Sequence, residues 1–415
     1  MQPVSTTKLP TLLASAFAAA LLTTPARSDV IMDWNAKADA IAAVKPSLTT
    51  PMHARGTAIL HLAMFEAVNA IEPRYFSYKP GLVADHGTSK EAAAATAGHD
   101  ALLALHPDQK ADLEATLTKM LAAIPEGAPK ANGISLGKKA AAGIIALRAN
   151  DGSDVHESYR PHSSPGVYVP TVVPRDSMVG GYTPWTMTRG SQFRPEPPPA
   201  LDSETWTRDL NEIRELGALN SKTRTAEQTE IGRFWFLTGA RSYNPVVHQI
   251  AKAKDMDIVD CARLFALVSM AGSDAYIAVF DAKYAYNFWR PITAVRNADL
   301  TGNKATPRDA NWLPLGDTPM HPEYPCAHCI TSAAVSTVMQ GLVGEQVSEI
   351  TLISASTPGV TRKWTRLRDY NEEVANARIY AGFHYRFSTE VGKDMGRKIG
   401  ELTLTQLRPV VPVTR

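Results

Sequence analysis

Cysteine is scarce in this sequence, which contains three among its 415 residues. Cys261, Cys326 and Cys329 are too few to act as a disulfide scaffold for a chain of this length, so the fold must depend on its hydrophobic core. With 44% apolar and 20% charged residues, the chain has enough apolar material for one large core or two fused ones.

An excess of one charge sign is also absent, because 43 basic residues balance 41 acidic residues. No long run of either sign suggests a nucleic-acid groove or a polybasic membrane patch. After residue 28, no stretch approaches the roughly 20 consecutive apolar residues that a transmembrane helix requires. We therefore expect small-molecule partners, no nucleic acid and no integral membrane span, and homo-oligomer formation stays open.

Residues 1–28 have the features of a cleaved signal peptide. Lys8 precedes an apolar stretch over residues 9–22, and residues 26–28 supply small side chains at the two positions that a signal peptidase reads. A membrane anchor fits less well, since Pro10 and several Ser and Thr residues interrupt the apolar stretch. We expect an exported protein, either periplasmic or secreted.

The rest of the chain is typical of helices, and strand signals are scarce. Ala, Leu, Lys and Glu with apolar spacing near about 3.6 residues predict N-terminal helices over residues 57–70, 91–106, 109–124 and 136–148. Later helices are predicted over residues 257–289, from residue 325, and over residues 366–383 and 389–407. The predicted fold class is an all-α helical bundle.

A proline-rich stretch divides the chain. Residues 161–199 contain nine prolines and four glycines, and no helix can continue through such a composition. We expect a long ordered loop there. The predicted division is an N-terminal helical part over residues 29–200, ending in this loop, and a helical bundle over residues 201–415 that carries the functional site.

Lys283 and Arg290 form the first of three segments that suggest chemistry. On a continuous helix, seven positions make almost two turns, so both cations are expected on one face before Pro291 redirects the chain. The planar fork of Arg290 can bind two oxygens of an oxyanion. Such a pair alone is more often a solvated basic face.

The second segment is Pro325-Cys326-Ala327-His328. Pro325 suits the first position of a helix, which would place the N–H groups of Cys326, Ala327 and His328 at a helix N-terminus, where anions bind. His328 would then be able to exchange a proton with a bound oxygen. A lone histidine in such a turn is usually a packing or capping residue.

The third segment contains Arg378 and His384. Six positions on an ideal helix place two side chains about 120° apart, so these residues do not share a face of a continuous helix. We therefore expect the helix to end or bend near Gly382, which would let both side chains reach one pocket.

The order Lys-x6-Arg-Pro, Pro-x-x-His and Arg-x5-His, between residues 283 and 384, resembles the signature of a known superfamily. It contains vanadium-dependent haloperoxidases, type 2 phosphatidic acid phosphatases and bacterial acid phosphatases. The phrases at residues 288–291, 323–325 and 384–387 look more like haloperoxidases. The resemblance implies a helical bundle of this type and an enzyme that oxidises halide with hydrogen peroxide at a His-bound vanadate.

The resemblance also implies roles for individual residues. His384 would bond vanadium, His328 would be the acid–base group, and Lys283 would polarise peroxide. His321 matches a position at which bromide-oxidising relatives carry histidine, so bromide is expected over chloride. The implied cofactor-binding residues are Lys283, Arg290, Cys326, Ala327, Arg378 and His384.

Two alternatives to a haloperoxidase stay open. The same cage suits phosphate, and an acid phosphatase would use His384 to attack phosphorus and His328 to protonate the leaving alcohol. A non-catalytic oxyanion-binding protein is the third reading, in which Cys326 has abolished the chemistry. A thiol-redox protein is disfavoured, since alternating strands and helices are absent.

Cys326 and Ala327 depart from the family pattern, which usually has Ser and Gly there. A thiol is a poor hydrogen-bond donor, and at a helix N-terminus it would be reactive and easily oxidised. A disulfide with Cys329 would protect it, and the sequence leaves that pairing open. A carboxylate that orients His328 is also expected, and its candidates are Glu227, Glu230, Asp274 and Glu323.

Overall fold

The computed structural model describes residues 30–156, 159–237 and 239–410, so the predicted signal peptide lies outside the described residues. The all-α prediction is confirmed, because helices dominate this part of the chain. The α-helices are Val30–Val44 (α1), Thr50–Ile71 (α2), Lys90–Leu105 (α3), Lys110–Ala122 (α4), Ala128–Leu147 (α5), Glu204–Leu216 (α6), Ala226–Phe234 (α7), Ala240–Ala253 (α8), Ile258–Tyr286 (α9), Pro291–Arg296 (α10), Ala327–Val343 (α11), Leu367–Tyr380 (α12) and Arg386–Thr403 (α13).

One antiparallel hairpin was not predicted. Its strands are Gln346–Ile353 (β1) and Thr361–Arg366 (β2), and it connects α11 to α12. Trp364 in β2 is buried against Trp235 and Tyr370, so the hairpin is attached to the bundle by aromatic packing. Gln249 of α8 exchanges two hydrogen bonds with the backbone of Thr351 in β1.

Helix α9 is the central element of the core. It packs against α2 on one side and against α11 and α13 on another, and 22 of its 29 residues are buried. Among the described residues, α9 is the one helix long and apolar enough to cross a membrane, and 94% of its apolar window is buried inside the protein. Its apolar character is thus explained by its position in the core.

Helices α11 and α13 approach each other closely because α13 carries glycine at every fourth position of the shared face. Side chains added at Gly392, Gly396 or Gly400 would collide with α11; a Cβ at Gly396 would lie 2.2 Å from the carbonyl oxygen of Ile330. This contact fixes the beginning of α11 against the beginning of α13, the two ends that border the candidate site.

The proline-rich stretch is a loop with two short 3₁₀ helices, Val179–Gly181 and Gly190–Phe193, as its composition predicts. It lies on α9, where the buried carboxylate of Asp274 accepts hydrogen bonds from the backbone N–H groups of Trp185, Thr186 and Met187. A single buried carboxylate thereby orders a segment that has little regular structure of its own.

Candidate active site

Residues of the second and third sequence motifs meet at one cavity of about 460 Å³. Ala327 and His328 from the start of α11, Arg378 from α12, and His384 from the loop before α13 all line it. Aromatic side chains form much of the remaining wall: Phe236, Tyr276, Phe280 and Phe383. The second and third motifs thus contribute residues to the same cavity.

Lys283 and Arg290 are both buried beside this cavity, but the prediction that they share one helix face is wrong. Helix α9 ends at Tyr286 because Asn287 adopts a left-handed conformation, with φ of 48°, which asparagine tolerates better than most residues. Arg290 instead precedes α10 as its N-cap residue. The two cations therefore reach the site from different elements.

Hydrogen bonds hold both cations against the backbone of the segment 321–323. Lys283 Nζ donates to the carbonyl oxygens of Pro322 at 2.9 Å and Glu323 at 2.7 Å. Arg290 Nε donates to the carbonyl of His321 at 2.9 Å, and its Nη1 donates to the carbonyl of Phe383 at 2.9 Å. These hydrogen bonds fix the positions of both side chains.

Helix α11 begins later than predicted. Pro325 is not its first residue: it follows a cis peptide bond after Tyr324, Cys326 is the N-cap, and Ala327 is the first helical residue. The backbone N–H of Cys326 donates to the carbonyl of Ser388, so this group is not available to an anion. Ala327 and His328 keep the predicted place at the helix N-terminus.

Cys326 and Cys329 form a disulfide, which settles the pairing that the sequence left open. Both residues are fully buried, and Cys326 does not line the cavity. Its sulfur accepts a hydrogen bond from the N–H of Cys329 at 3.2 Å, so it caps α11. The structure therefore does not bring the predicted cofactor-binding Cys326 side chain to the cavity.

Arg378 and His384 reach the cavity as expected, because α12 ends at Tyr380 and Gly382 follows with φ of 78°. A Cβ at Gly382 would lie 2.5 Å from the carbonyl oxygen of Gly217, so the turn also requires a residue without a side chain. Arg378 Nη1 donates to the carbonyl of Trp235 at 2.7 Å.

Glu323 contacts His384, whereas the sequence offered it as a partner of His328. Its Oε1 lies 2.8 Å from Nδ1 of His384, and both side chains have no exposed surface. The same oxygen accepts the N–H of Tyr385 at 3.1 Å. His328 instead has the backbone carbonyl of Leu237 within reach of its ring.

The other three candidate carboxylates lie elsewhere. Glu227 and Glu230 pair with Arg362, and Asp274 binds the proline-rich loop. Sequence reasoning missed the actual partner of His384 because Glu323 precedes it by 61 residues and belongs to a different motif. The indication available in the sequence was that Glu323 lies two residues before Pro325, within the second motif.

Burial shifts every titratable group of the site toward its neutral form. It lowers the pKa of Arg290 to about 10 and of Arg378 to about 9, so both stay charged at neutral pH. It raises the pKa of Glu323 to about 7, against the opposing effect of Lys283 and Arg290. Burial, followed by the field of neighbouring cations, lowers the pKa of Lys283 well below its usual range.

The site histidines are neutral for the same reasons. Burial holds the pKa of His384 well below its ordinary value, and Arg290 and Lys283 lower it further. Burial and the charge of Arg378 do the same for the pKa of His328. A neutral imidazole has one nitrogen with a free lone pair, which is the form that can bind a metal centre or accept a proton.

These residues fit a bound oxyanion. Lys283, Arg290 and Arg378 are at most 2% exposed. The fully buried carboxylate of Glu323 acts electrostatically on Lys283 and Arg290. Burying three cations against one anion is costly unless a further negative charge neutralises them. Two buried nitrogens at the cavity, Nε of Arg378 and Nε2 of His328, also have no hydrogen-bond partner among the described residues. A tetrahedral oxyanion, which carries both negative oxygens and hydroxyl groups, would neutralise the charge, accept from Nε of Arg378 and donate to Nε2 of His328.

Comparisons with known proteins find similarity to vanadium haloperoxidases. Residues 263–411 match the family described as the VCPO second helical-bundle domain. Vanadium chloroperoxidase of Curvularia inaequalis is 27% identical over an alignment of 277 residues, and the match covers 50% of this chain and 45% of that protein. The chain therefore spans less than half the length of this curated relative.

Solved structures establish the fold. The crystal structure of a bacterial vanadium-dependent iodoperoxidase matches with a TM-score of 0.78 and 21% identity, covering 93% of this chain and 97% of that one. The holo form of a bacterial vanadium-dependent chloroperoxidase matches with a TM-score of 0.64 and 16% identity, covering 86% and 91%. The resemblance to vanadium haloperoxidases that the motifs indicate is confirmed.

Proposed function

We propose that this chain, whose residues 263–411 match the second helical-bundle domain of vanadium chloroperoxidases, is a vanadium-dependent haloperoxidase that oxidises halide with hydrogen peroxide. The observation that carries the proposal is the set of three buried cations around the imidazole of His384, whose Nδ1 contacts a buried carboxylate. Hydrogen peroxide and halide are the expected small-molecule substrates.

The residues of the site have distinct roles in this proposal. His384 would hold vanadate through Nε2, while Lys283, Arg290 and Arg378 neutralise its charge. Bound vanadate supplies a Lewis-acidic centre that activates peroxide. His328 faces the same cavity with an unpartnered Nε2 and a lowered pKa, so it can take a proton from peroxide at neutral pH.

The disulfide supports an oxidative reaction. A free thiol at position 326 would be oxidised by peroxide or hypohalous acid. In the disulfide, both sulfurs are already oxidised and fully buried. The departure from the family pattern at Cys326 therefore does not count against halide oxidation.

The test is reconstitution of the purified chain with vanadate, followed by peroxide and bromide with monochlorodimedone as the halogen acceptor. We expect vanadate-dependent loss of monochlorodimedone absorbance, and a loss of this activity in His328→Ala and His384→Ala. Failure to halogenate, together with turnover of p-nitrophenyl phosphate, would overturn the proposal in favour of the phosphatase.

An acid phosphatase stays the second candidate because the same geometry serves phosphoryl transfer. His384 presents Nε2 and His328 an unpartnered nitrogen to one cavity, which suits a nucleophile and a second imidazole that would have to be protonated to act on the leaving alcohol. Stoichiometric binding of phosphate and vanadate without either turnover would instead select the non-catalytic oxyanion-binding protein.

Bromide is the proposed halide in preference to chloride. His321 lines the cavity, and its Nδ1 lies 2.9 Å from Nη2 of Arg290, so it belongs to the same hydrogen-bonded group. Rates of monochlorodimedone halogenation with each halide, in the wild type and in His321→Phe, test this preference. A variant with an unchanged bromide-to-chloride ratio would contradict a role for His321.

Export of the mature protein is proposed from residues 1–28 alone. N-terminal sequencing of the protein recovered from the periplasm or medium of an expressing bacterium is expected to begin after residue 28. Recovery only in the cytosol with an intact N-terminus would contradict it.

A further inference from the structure

The hydrogen bonds of the site assign the proton positions on His384. Arg290 Nη1 lies 3.2 Å from Nε2 of His384, and a guanidinium has N–H donors but no acceptor. Nε2 must therefore be the acceptor and carry the lone pair. In a neutral ring the proton then resides on Nδ1, which donates to Glu323 Oε1 at 2.8 Å.

We propose that Glu323 is a positioning residue that fixes His384 in the Nδ1–H tautomer, so that Nε2 is presented to vanadate, and that Arg290 protects this lone pair until the oxyanion arrives. This inference rests on the function proposed above and deepens it by assigning the group that prepares its cofactor ligand.

Glu323 is itself held in place by the backbone on both sides. Its Oε1 also accepts the N–H of Tyr385, the residue after His384, at 3.1 Å. Its own N–H donates to the carbonyl of Phe288 at 2.8 Å, and its carbonyl accepts Lys283 Nζ. Because the carboxylate binds both the ring and the adjacent backbone, it fixes the orientation of the imidazole as well as its tautomer.

Arg290 does not need to leave the site when an oxyanion binds. It keeps hydrogen bonds to the carbonyls of His321 and Phe383, both at 2.9 Å. The 3.2 Å contact to Nε2 is the longest of these three, and it is the one that a bound oxygen would replace. The guanidinium thus replaces Nε2 of His384 with an oxygen of the bound oxyanion as acceptor, and it keeps its position.

Two explanations of Glu323 make opposite predictions. If Glu323 only compensates charge, Glu323→Gln removes a negative charge and strengthens the binding of vanadate and phosphate equally. If it positions His384, the variant weakens vanadate binding specifically, because vanadate needs the Nε2 lone pair whereas phosphate is held by charge and hydrogen bonds. The ratio of the two affinities separates these effects.

The experiment is calorimetric titration of the metal-free protein with vanadate and with phosphate. For Glu323→Gln we expect the vanadate-to-phosphate affinity ratio to fall by about 10- to 100-fold, the range for residues that orient a metal ligand. His384→Ala has no imidazole to bind vanadium, so it is expected to give the lowest vanadate-to-phosphate affinity ratio. An unchanged ratio in Glu323→Gln would overturn the proposal.

Glu66→Gln is the matched control. Glu66 is a buried carboxylate outside the site that accepts backbone N–H bonds from Tyr78 and Lys79. Its variant is expected to keep the wild-type ratio, so a general loss of stability is distinguished from loss of positioning. If Glu323→Gln does not fold, Glu323→Asp replaces it, and its shorter carboxylate is expected to lower the ratio as well.

A second readout uses no vanadate. In the protein labelled with ¹⁵N-histidine, the ring of His384, identified by its absence in His384→Ala, is expected to show the Nδ1–H tautomer in the wild type and a mixture in Glu323→Gln. An Nε2–H ring in the wild type would contradict the assignment. Because haloperoxidase activity is measured separately, loss of the proposed function with an intact tautomer would overturn only the function.

Discussion

The cationic side chains of the site form few ion pairs with carboxylates. Arg378 is buried, donates Nη1 to the carbonyl of Trp235, and has an Nε without a partner among the described residues. Its guanidinium carbon also lies 4.8 Å from the centre of the Phe383 ring. An arginine in these surroundings is prepared to bind an oxyanion with its remaining donors.

Arg378→Lys is expected to weaken phosphate binding by about 10-fold or more, because the charge is kept but the planar fork is lost; hydrogen bonds to charged groups contribute roughly 1.5–3 kcal/mol. Calorimetric titration with phosphate measures the change. Arg362→Lys is the control, since Arg362 is a partly buried arginine that pairs with Glu373 outside the site. Equal affinity in wild type and Arg378→Lys would show that Arg378 does not contact the anion.

Some residues of the site could be predicted from the sequence and others could not. The motifs identified the cations and both histidines, because three short patterns in the right order resemble the signature of the superfamily. The Glu323–His384 contact was not predicted, because it joins residues 61 positions apart that belong to different motifs. The disulfide required the same three-dimensional information.

Close packing of α11 against α13 brings His328 and His384 together. The N-terminus of α11 carries His328, and the loop before α13 carries His384. The glycines of α13 allow the two helices to approach until a Cβ at Gly400 would lie 2.6 Å from Cβ of Thr337. The separation of the two site histidines therefore depends on residues that do not touch the cavity.

Gly396→Ala is expected to destabilise the protein by about 1–3 kcal/mol, the usual cost of overpacking, despite the better helix propensity of alanine. Gly143→Ala in α5 is the control, because the nearest atom to its Cβ is the flexible end of Lys79 at 3.1 Å. That variant is expected to gain up to about 1 kcal/mol. Urea unfolding measures both, and equal effects would contradict the close packing of α11 and α13.

The spacing of apolar residues predicted which segments are helical, whereas the residues at which helices end depend on local backbone geometry. The prediction of 91–106 differs by one residue at each end from Lys90–Leu105, and the end near Gly382 is confirmed. The predicted helix over residues 257–289 ended early at Tyr286, since Asn287 adopts the left-handed conformation. The hairpin β1–β2 was missed because its packing partners are distant aromatic residues.

The whole molecule contributes to the site, since the cavity is not confined to residues 263–411. Thr50 and Pro51 at the start of α2, and Phe236 after α7, line it as well. The N-terminal helices are attached to the rest by a buried polar network, in which Asn35 of α1 lies 2.8 Å from His61 of α2 and 2.7 Å from His248 of α8.

His61 makes the stability of the whole fold dependent on pH. Burial, followed by the charges of His248 and His53, lowers its pKa from 6.5 to about 3. The unfolded chain therefore binds a proton below pH 6.5 that the folded chain does not, and stability is lost as the pH falls toward 3, by up to about 1.4 kcal/mol per pH unit.

His61→Gln is expected to reduce this acid sensitivity, because glutamine keeps a polar group but does not titrate. Urea unfolding across the acidic range measures the slope of the unfolding free energy against pH for each protein. Parallel slopes would contradict a neutral, buried His61 in the folded state.

Lys283, Arg290, Arg378 and His384 are proposed to bind one vanadate together. The most direct measurement is the vanadium content of the purified chain after incubation with vanadate and gel filtration. We predict one vanadium per chain in the wild type, and loss of the metal during filtration in His384→Ala. Absence of vanadium from the wild type, or equal retention by the variant, would contradict the account.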